Sequence, residues 1–262
     1  MAKRRIFTAP SAQVVDIATG QARLEKVDGE PDSYVLHVNG VPSSSITLSD
    51  PARLDFEYLD WMARIIDAVT DGSLRAIHLG AAGCALARAL DATRPGSRQT
   101  AIDIDPILID CVRQWFDLPR SPALALRAGD AAAEIATFRD DTADVIVRDA
   151  FSFDSVPEQL QTEEFYADCA RVLRPSGLFL ANVPDSGDHR VLREEIRAAA
   201  AAFKHVAAAS ESGVLKGRRR GNVVVAAAQE PLPDAALDRS LRTAPTMAVW
   251  LDEAALLSRI GR

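Results

Sequence analysis

"HVAAASESGVLKGRRRGNVVVAAAQ", residues 205–229, decides between two kinds of α/β fold. Its two apolar runs, "HVAAASES" and "NVVVAAAQ", read as strands joined by a short glycine-bearing loop. A parallel pair needs a crossover of a dozen or more residues, usually a helix. The loop "GVLKGRRRG" is too short for that, so the spacing predicts an antiparallel pair.

Working back toward the N-terminus, strands and helices alternate. "RAIHLG" (75–80) leads to helix "CALARALDAT", and "QTAIDID" (99–105) to "PILIDCVRQWF", with Pro106 at the first helical turn. "ALALRAGD" (123–130) leads to "AAAEIATF", and "ADVIVRD" (143–149) to a helix over "PEQLQTEEFYADCARVL". "GLFLANV" (177–183) leads to "HRVLREEIRAAAAAF". Five βα units predict a parallel, doubly wound sheet. With the antiparallel pair added, the expectation is a seven-stranded methyltransferase-like Rossmann fold rather than a dehydrogenase domain.

Residues 1–50 differ. "QVVDIAT", "QARLEKV", "SYVLHV" and "ITLSD" are short strand patterns with turn signals at Gly20, "DGEPD" and Asn39-Gly40. They form a small N-terminal β domain, too small to bury a good core alone. "LDFEYLDWMARIIDAV" (54–69) has apolar residues at helical spacing and opens the main domain, 51–230. Residues 231–262 read as a Pro-interrupted linker and a short helix near "AVWLDEAALLSRI".

An apolar content of 48% supports a sizeable core, and a net charge of −7 argues against a general nucleic-acid binder. No apolar run suits a signal peptide or a membrane span, so a cytoplasmic protein is expected. Cys84, Cys111 and Cys169 are far apart, and the four histidines have no metal-ligand spacing, so neither a disulfide framework nor a metal site is expected.

The chemistry collects at strand ends, where open α/β sheets bind ligands. The first turn, Gly80-Ala81-Ala82-Gly83, is a weak glycine loop and fails as GxGxxG; a plain βα turn explains it equally well. Asp103, 23 residues after Gly80, suits ribose hydroxyls, while Asp105 before Pro106 suits a helix cap. Asp130, followed by Ala131, is either a helix cap or an acceptor for an adenine amino group. Asp149 ends the fourth strand; it is an acid able to stabilise a cation or take a proton, or a solvated loop acid paired with Arg148. The basic tip "LKGRRRG" (215–221) reads first as a solvated turn.

On these residues the chain resembles the spermidine synthase family, the polyamine aminopropyltransferases, from about residue 13 to 228. "HLGAAG" resembles the family's glycine motif, Asp103 its ribose acid, Gly129-Asp130 its adenine contact and Asp149 its catalytic acid. Pro157, Leu160, Phe165 and Tyr166 follow the family's pattern after that acid, and Tyr58 resembles its substrate-channel tyrosine. Leu59 stands where a histidine is usual, and "DAFSFDSVP" replaces D-S-S-D-P, so the second amine-binding acid is either missing or displaced to Asp154. The pattern is most like the family's divergent branch. The resemblance implies decarboxylated S-adenosylmethionine as co-substrate with no permanently bound cofactor, an amine such as putrescine as acceptor, and a homodimer. Ordinary S-adenosylmethionine with methyl transfer, or nucleoside binding without catalysis, are the alternatives.

Overall fold

The computed structural model describes residues 14–152 and 155–260. Asp154 lies outside the described residues.

Four short strands come first: β1 (Val14–Ile17), β2 (Gly20–Lys26), β3 (Ser33–Val38) and β4 (Val41–Thr47). They form a separate antiparallel meander in the order β1-β2-β3-β4. Its apolar side, with Ala22, Leu24, Leu36 and Ile46, packs into the main core and so gains the burial it could not provide itself.

α1 (Glu57–Val69) follows, burying Trp61, Met62, Ile65 and Ile66 at helical spacing. The βα units are β5 (Arg75–Leu79) with α2 (Ala85–Thr93), and β6 (Arg98–Asp103) with α3 (Pro106–Trp115). Next come β7 (Leu124–Ala128) with α4 (Ala131–Thr137), β8 (Ala143–Arg148) with α5 (Glu163–Val172), and β9 (Leu173–Asp185) with α6 (Arg190–Ala202). The end of the chain adds β10 (His205–Ser210), α7 (Ser212–Leu215), β11 (Gly221–Ala228), α8 (Asp234–Arg242), β12 (Val249–Leu251) and α9 (Glu253–Arg259).

The main sheet runs β12-β10-β11-β9-β8-β5-β6-β7. Strands β7, β6, β5, β8 and β9 are parallel, while β11 pairs antiparallel with both β9 and β10. The expected antiparallel pair is therefore present. The sheet has eight strands where seven were expected, because Val249–Leu251 adds to the free edge of β10. That segment was expected to be helical; only Glu253–Arg259 is.

Two further expectations are corrected. The helix read over 157–173 is a 3-10 turn, Glu158–Leu160, then α5, which restarts at a Thr162 cap. The stretch read as a linker contains α8. It begins directly after Pro233 and buries Leu237 and Leu241, and Trp250 Nε1 donates to Asp234 Oδ1 at 2.8 Å.

Alternation divides the core into two layers. Val145, Val147, Leu178 and Leu180 face α1, whereas Ile146, Phe179, Ala181 and Val183 face α5 and α6. This sets where each residue at the strand ends points.

Candidate active site

Register brings the strand-end residues to one level. Arg148 is in register with Leu79 on one side and Ala181 on the other. The next residues, Gly80, Asp149 and Asn182, therefore form a row at the carboxyl edge. Asp103 ends β6 one strand further, and Gly129-Asp130 follow β7. Asp103 and Asp149 are thus separated by two strand spacings, roughly 9–10 Å.

Gly80 is required by close packing. Its φ is +78°, and a Cβ there would lie 2.4 Å from Ala150 Cα and 2.5 Å from the Asp149 carbonyl oxygen. No side chain fits between β5 and the start of the Asp149 loop.

Gly83 serves the β meander. A Cβ would meet Ser44 Cβ at 2.7 Å, and the Gly83 N–H donates to Ser44 Oγ at 2.9 Å. The other turn N–H groups are also engaged: Gly80 on the Ile102 carbonyl, Ala82 on Asp103 Oδ2 at 3.2 Å, and Cys84 on the Ala81 carbonyl. Gly80, Ala81 and Ala82 line the edge of the site, while Gly83 is buried beneath β4. Gly83 thus has a packing role against Ser44.

Asp103 accepts backbone N–H groups from Ala82 and, on Oδ1, from Asp105 at 3.0 Å, and the Ala81 N–H is also directed at it. Burial raises its pKa, and these hydrogen bonds oppose the rise. Asp105 caps α3 through Ile107 and Leu108, as the sequence indicates. It also receives the Thr19 N–H and hydroxyl, at 2.7 and 2.9 Å, from the β1–β2 turn. The small sheet is thereby tied directly to the loop after Asp103.

Asp130 takes the expected capping role. Oδ1 caps α4 through the Ala133 N–H, and Oδ2 accepts from Gln159 Nε2 at 3.1 Å. Ala131 is buried at the start of α4. Beside Asp103, Ile104 is 59% exposed, and Phe151 after Asp149 is 40% exposed. Two large apolar side chains left open at one ligand edge offer flat surface to a base or an alkyl chain.

Asp149 is half-buried and faces the α1 layer. Tyr58 from α1 donates its hydroxyl to Oδ2 at 3.0 Å, and Asn182 from β9 donates Nδ2 to Oδ1 at 3.1 Å. Burial pushes the Asp149 pKa up to about 6, against the opposing hydrogen bonds and the Arg148 charge. Burial, then the Asp149 charge, hold the Tyr58 phenol protonated. Asn182 has no role in the sequence reading, although its place in β9 level with Asp149 was the available signal. Its buried Oδ1 has no partner among the described residues, leaving an open acceptor beside the carboxylate.

Arg148 does not pair with Asp149. Strand alternation turns it to the opposite face, where it is fully buried against Glu195. The basic tip Lys216–Arg220 is exposed, apart from an ion pair between Arg219 and Glu211. Glu57, beside Tyr58, accepts from Asn222 Nδ2 at 2.9 Å, which ties α1 to β11.

Fold and strand-end acids together define a protein of the methyltransferase-fold class, and residues 77–181 match the methyltransferase domain family. Within that class the comparisons are more specific. The chain is 34% identical to the probable spermidine synthase from Corynebacterium glutamicum, with a TM-score of 0.88, covering 95% of this chain and 93% of that one. It is 34% identical over 155 residues to the polyamine aminopropyltransferase of Neisseria meningitidis serogroup B; the matched stretch spans 57% of each chain. The spermidine synthase of Thermotoga maritima shares the fold, with a TM-score of 0.65 at 16% identity. The chain belongs to the spermidine synthase, or polyamine aminopropyltransferase, family.

Proposed function

We propose that the protein transfers an aminopropyl group from decarboxylated S-adenosylmethionine to an amine such as putrescine. The observation that carries this reading is Asp149: a half-buried carboxylate held by Tyr58 and Asn182, level with the nucleoside-side residues Gly80 and Asp103. The amine nitrogen attacks the methylene carbon next to the sulfonium. A C–N bond forms, the C–S bond breaks with its electron pair going to sulfur, and methylthioadenosine leaves.

Asp149 does two things in this scheme. Its negative charge attracts the ammonium form of the acceptor, and its carboxylate takes the proton that the attacking nitrogen sheds. A pKa near 6 leaves it ionised at pH 7 yet a better proton acceptor than an ordinary aspartate. Asp103 would hold the ribose hydroxyls through its remaining lone pairs, Asp130 the adenine amino group, and Tyr58 would line the acceptor channel.

The glycine turn favours the decarboxylated co-substrate over ordinary S-adenosylmethionine. The N–H groups of Gly80, Ala82, Gly83 and Cys84 already have protein acceptors and that of Ala81 is directed at Asp103, so the turn has little to offer a methionine carboxylate. A buried, unpaired carboxylate costs about a kcal/mol or more per missing bond, and the decarboxylated co-substrate has no carboxylate to satisfy, only an ammonium that needs acceptors.

Calorimetry tests the reading. Decarboxylated S-adenosylmethionine should bind most tightly, followed by methylthioadenosine, with S-adenosylmethionine weaker. Preference for S-adenosylmethionine would favour methyl transfer. Binding of none would refute the enzyme reading.

A further inference from the structure

Behind Asp149 lies a buried charged cluster that the reaction above leaves without a task. Arg148 and Glu195 are both fully buried and joined Nη1 to Oε1 at 2.7 Å. The other Glu195 oxygen accepts the hydroxyl of Tyr166, itself fully buried. Arg148 Nη1 also donates to the Leu160 carbonyl at 2.8 Å, and Nη2 reaches the Asn182 carbonyl at 3.4 Å. One guanidinium therefore touches β9, α6 and the 3-10 turn, and Glu195 adds α5.

Two of these contacts bear directly on the site. Leu160 closes the loop that opens at Asp149, whose first residue is fixed by its N–H on the Leu79 carbonyl at 2.8 Å. Asn182 is the residue whose side chain donates to Asp149. Arg148 thus holds the far end of the loop and the backbone of the residue that orients the carboxylate. A buried ion pair seldom adds net stability over apolar packing of the same volume, so its retention in a core otherwise rich in Ala, Val and Phe invites a positional explanation.

We propose that Arg148, braced by Glu195 and Tyr166, is a positioning residue for Asp149: a buried cation that fixes the strand end, Asn182 and the turn at Leu160 around the reacting carboxylate. The inference rests on the assignment of Asp149 above. It predicts electrostatic as well as geometric coupling. The groups acting on Asp149 are Tyr58 from α1, Asn182 from β9 and Arg148 on its own strand; around Arg148 stand Glu195, Tyr166 and Cys169. The Arg148 charge lowers the Asp149 pKa, and Glu195 offsets that charge.

Opposite substitutions should therefore move Asp149 in opposite directions. Arg148→Met removes the cation and should shift the Asp149 titration upward by about half a pH unit or more. Glu195→Gln keeps the shape but uncovers the cation, and should shift it downward. Arg148→Met combined with Glu195→Leu replaces the pair with apolar groups; this version should fold even if Arg148→Met alone does not, and keep the upward shift. Carboxyl carbon NMR of Asp149 reads these shifts without turnover. The acid limb of kcat/KM reads them again, because ionisation of the amine is common to all variants. Arg148→Met and the double variant should lose about 10–100-fold in kcat with nucleoside Kd within about threefold.

Shifts of the same sign in Arg148→Met and Glu195→Gln, or no shift in either, would reduce the cluster to a structural role. So would a double variant with wild-type kcat and titration. Opposite NMR shifts in a protein that turns over no amine would support the coupling while refuting the proposed reaction.

Discussion

Asp103 and Asp149 stand at one edge of one sheet, two strands apart, yet they are held differently. Asp103 is fixed by backbone N–H groups from its own and the neighbouring turn. Asp149 is fixed by side chains from α1 and β9, elements remote in sequence. The first arrangement follows from the βα unit and tolerates change elsewhere. The second exists only when the whole domain is assembled, and it leaves the carboxylate in surroundings that penalise its charge. The Asp103 half of the edge is thus local architecture, and the Asp149 half is tertiary.

The largest expected effect separates the halves. Asp149→Asn should lower kcat about 1000-fold, while the Kd for the nucleoside, read by calorimetry, stays within about threefold. Full activity would end the assignment of Asp149. Asp103→Asn should do the reverse: nucleoside Kd weakens about 10–100-fold, with kcat at saturation within about threefold. A comparable loss of kcat in both variants would show that the halves are not separable.

Sequence made the strand ends around Asp103 readable because their parts are local. The turn, the acid 23 residues on and the N-cap acids each sit at a strand end that hydrophobic alternation locates. Gly80 and Gly83 were visible as glycines, but the reasons for them were not: one admits the Asp149-Ala150 backbone and the other Ser44. Asn182 and Arg148 illustrate the opposite case. Which residues stand level with each depends on register across three strands, and which partner each meets depends on α1, α5 and α6. β12 escaped for a related reason, since three residues become a strand only when the edge of β10 is there to pair with them.

Smaller effects sharpen the same contrast. Tyr58→Phe removes a hydrogen bond that lowers the Asp149 pKa. We expect kcat to fall about tenfold and the acid limb of its pH profile to move up, since the carboxylate is the active form. An unchanged limb would mean that the phenol does not act on Asp149.

Stability gives the smallest effect, with its own sign. Asp149 has a folded pKa near 6 against an ordinary value of 3.8, so the folded state binds more protons between these values. Its contribution to stability is therefore fully favourable below about pH 4 and is lost as pH rises through about 6. Asp149→Asn removes that penalty. Denaturant melts should show the variant about 1–2 kcal/mol more stable than wild type at pH 7.5, the gain vanishing near pH 4. A variant less stable at pH 7.5 would mean that the hydrogen bonds outweigh the cost of the buried charge.

The central claim concerns the bond that breaks. Incubating the protein with decarboxylated S-adenosylmethionine, with and without putrescine, and measuring methylthioadenosine by chromatography tests it directly. Amine-dependent release of methylthioadenosine, one for each aminopropylated amine formed, is the predicted result. Tight binding of the nucleoside with no release across a panel of amines would contradict it.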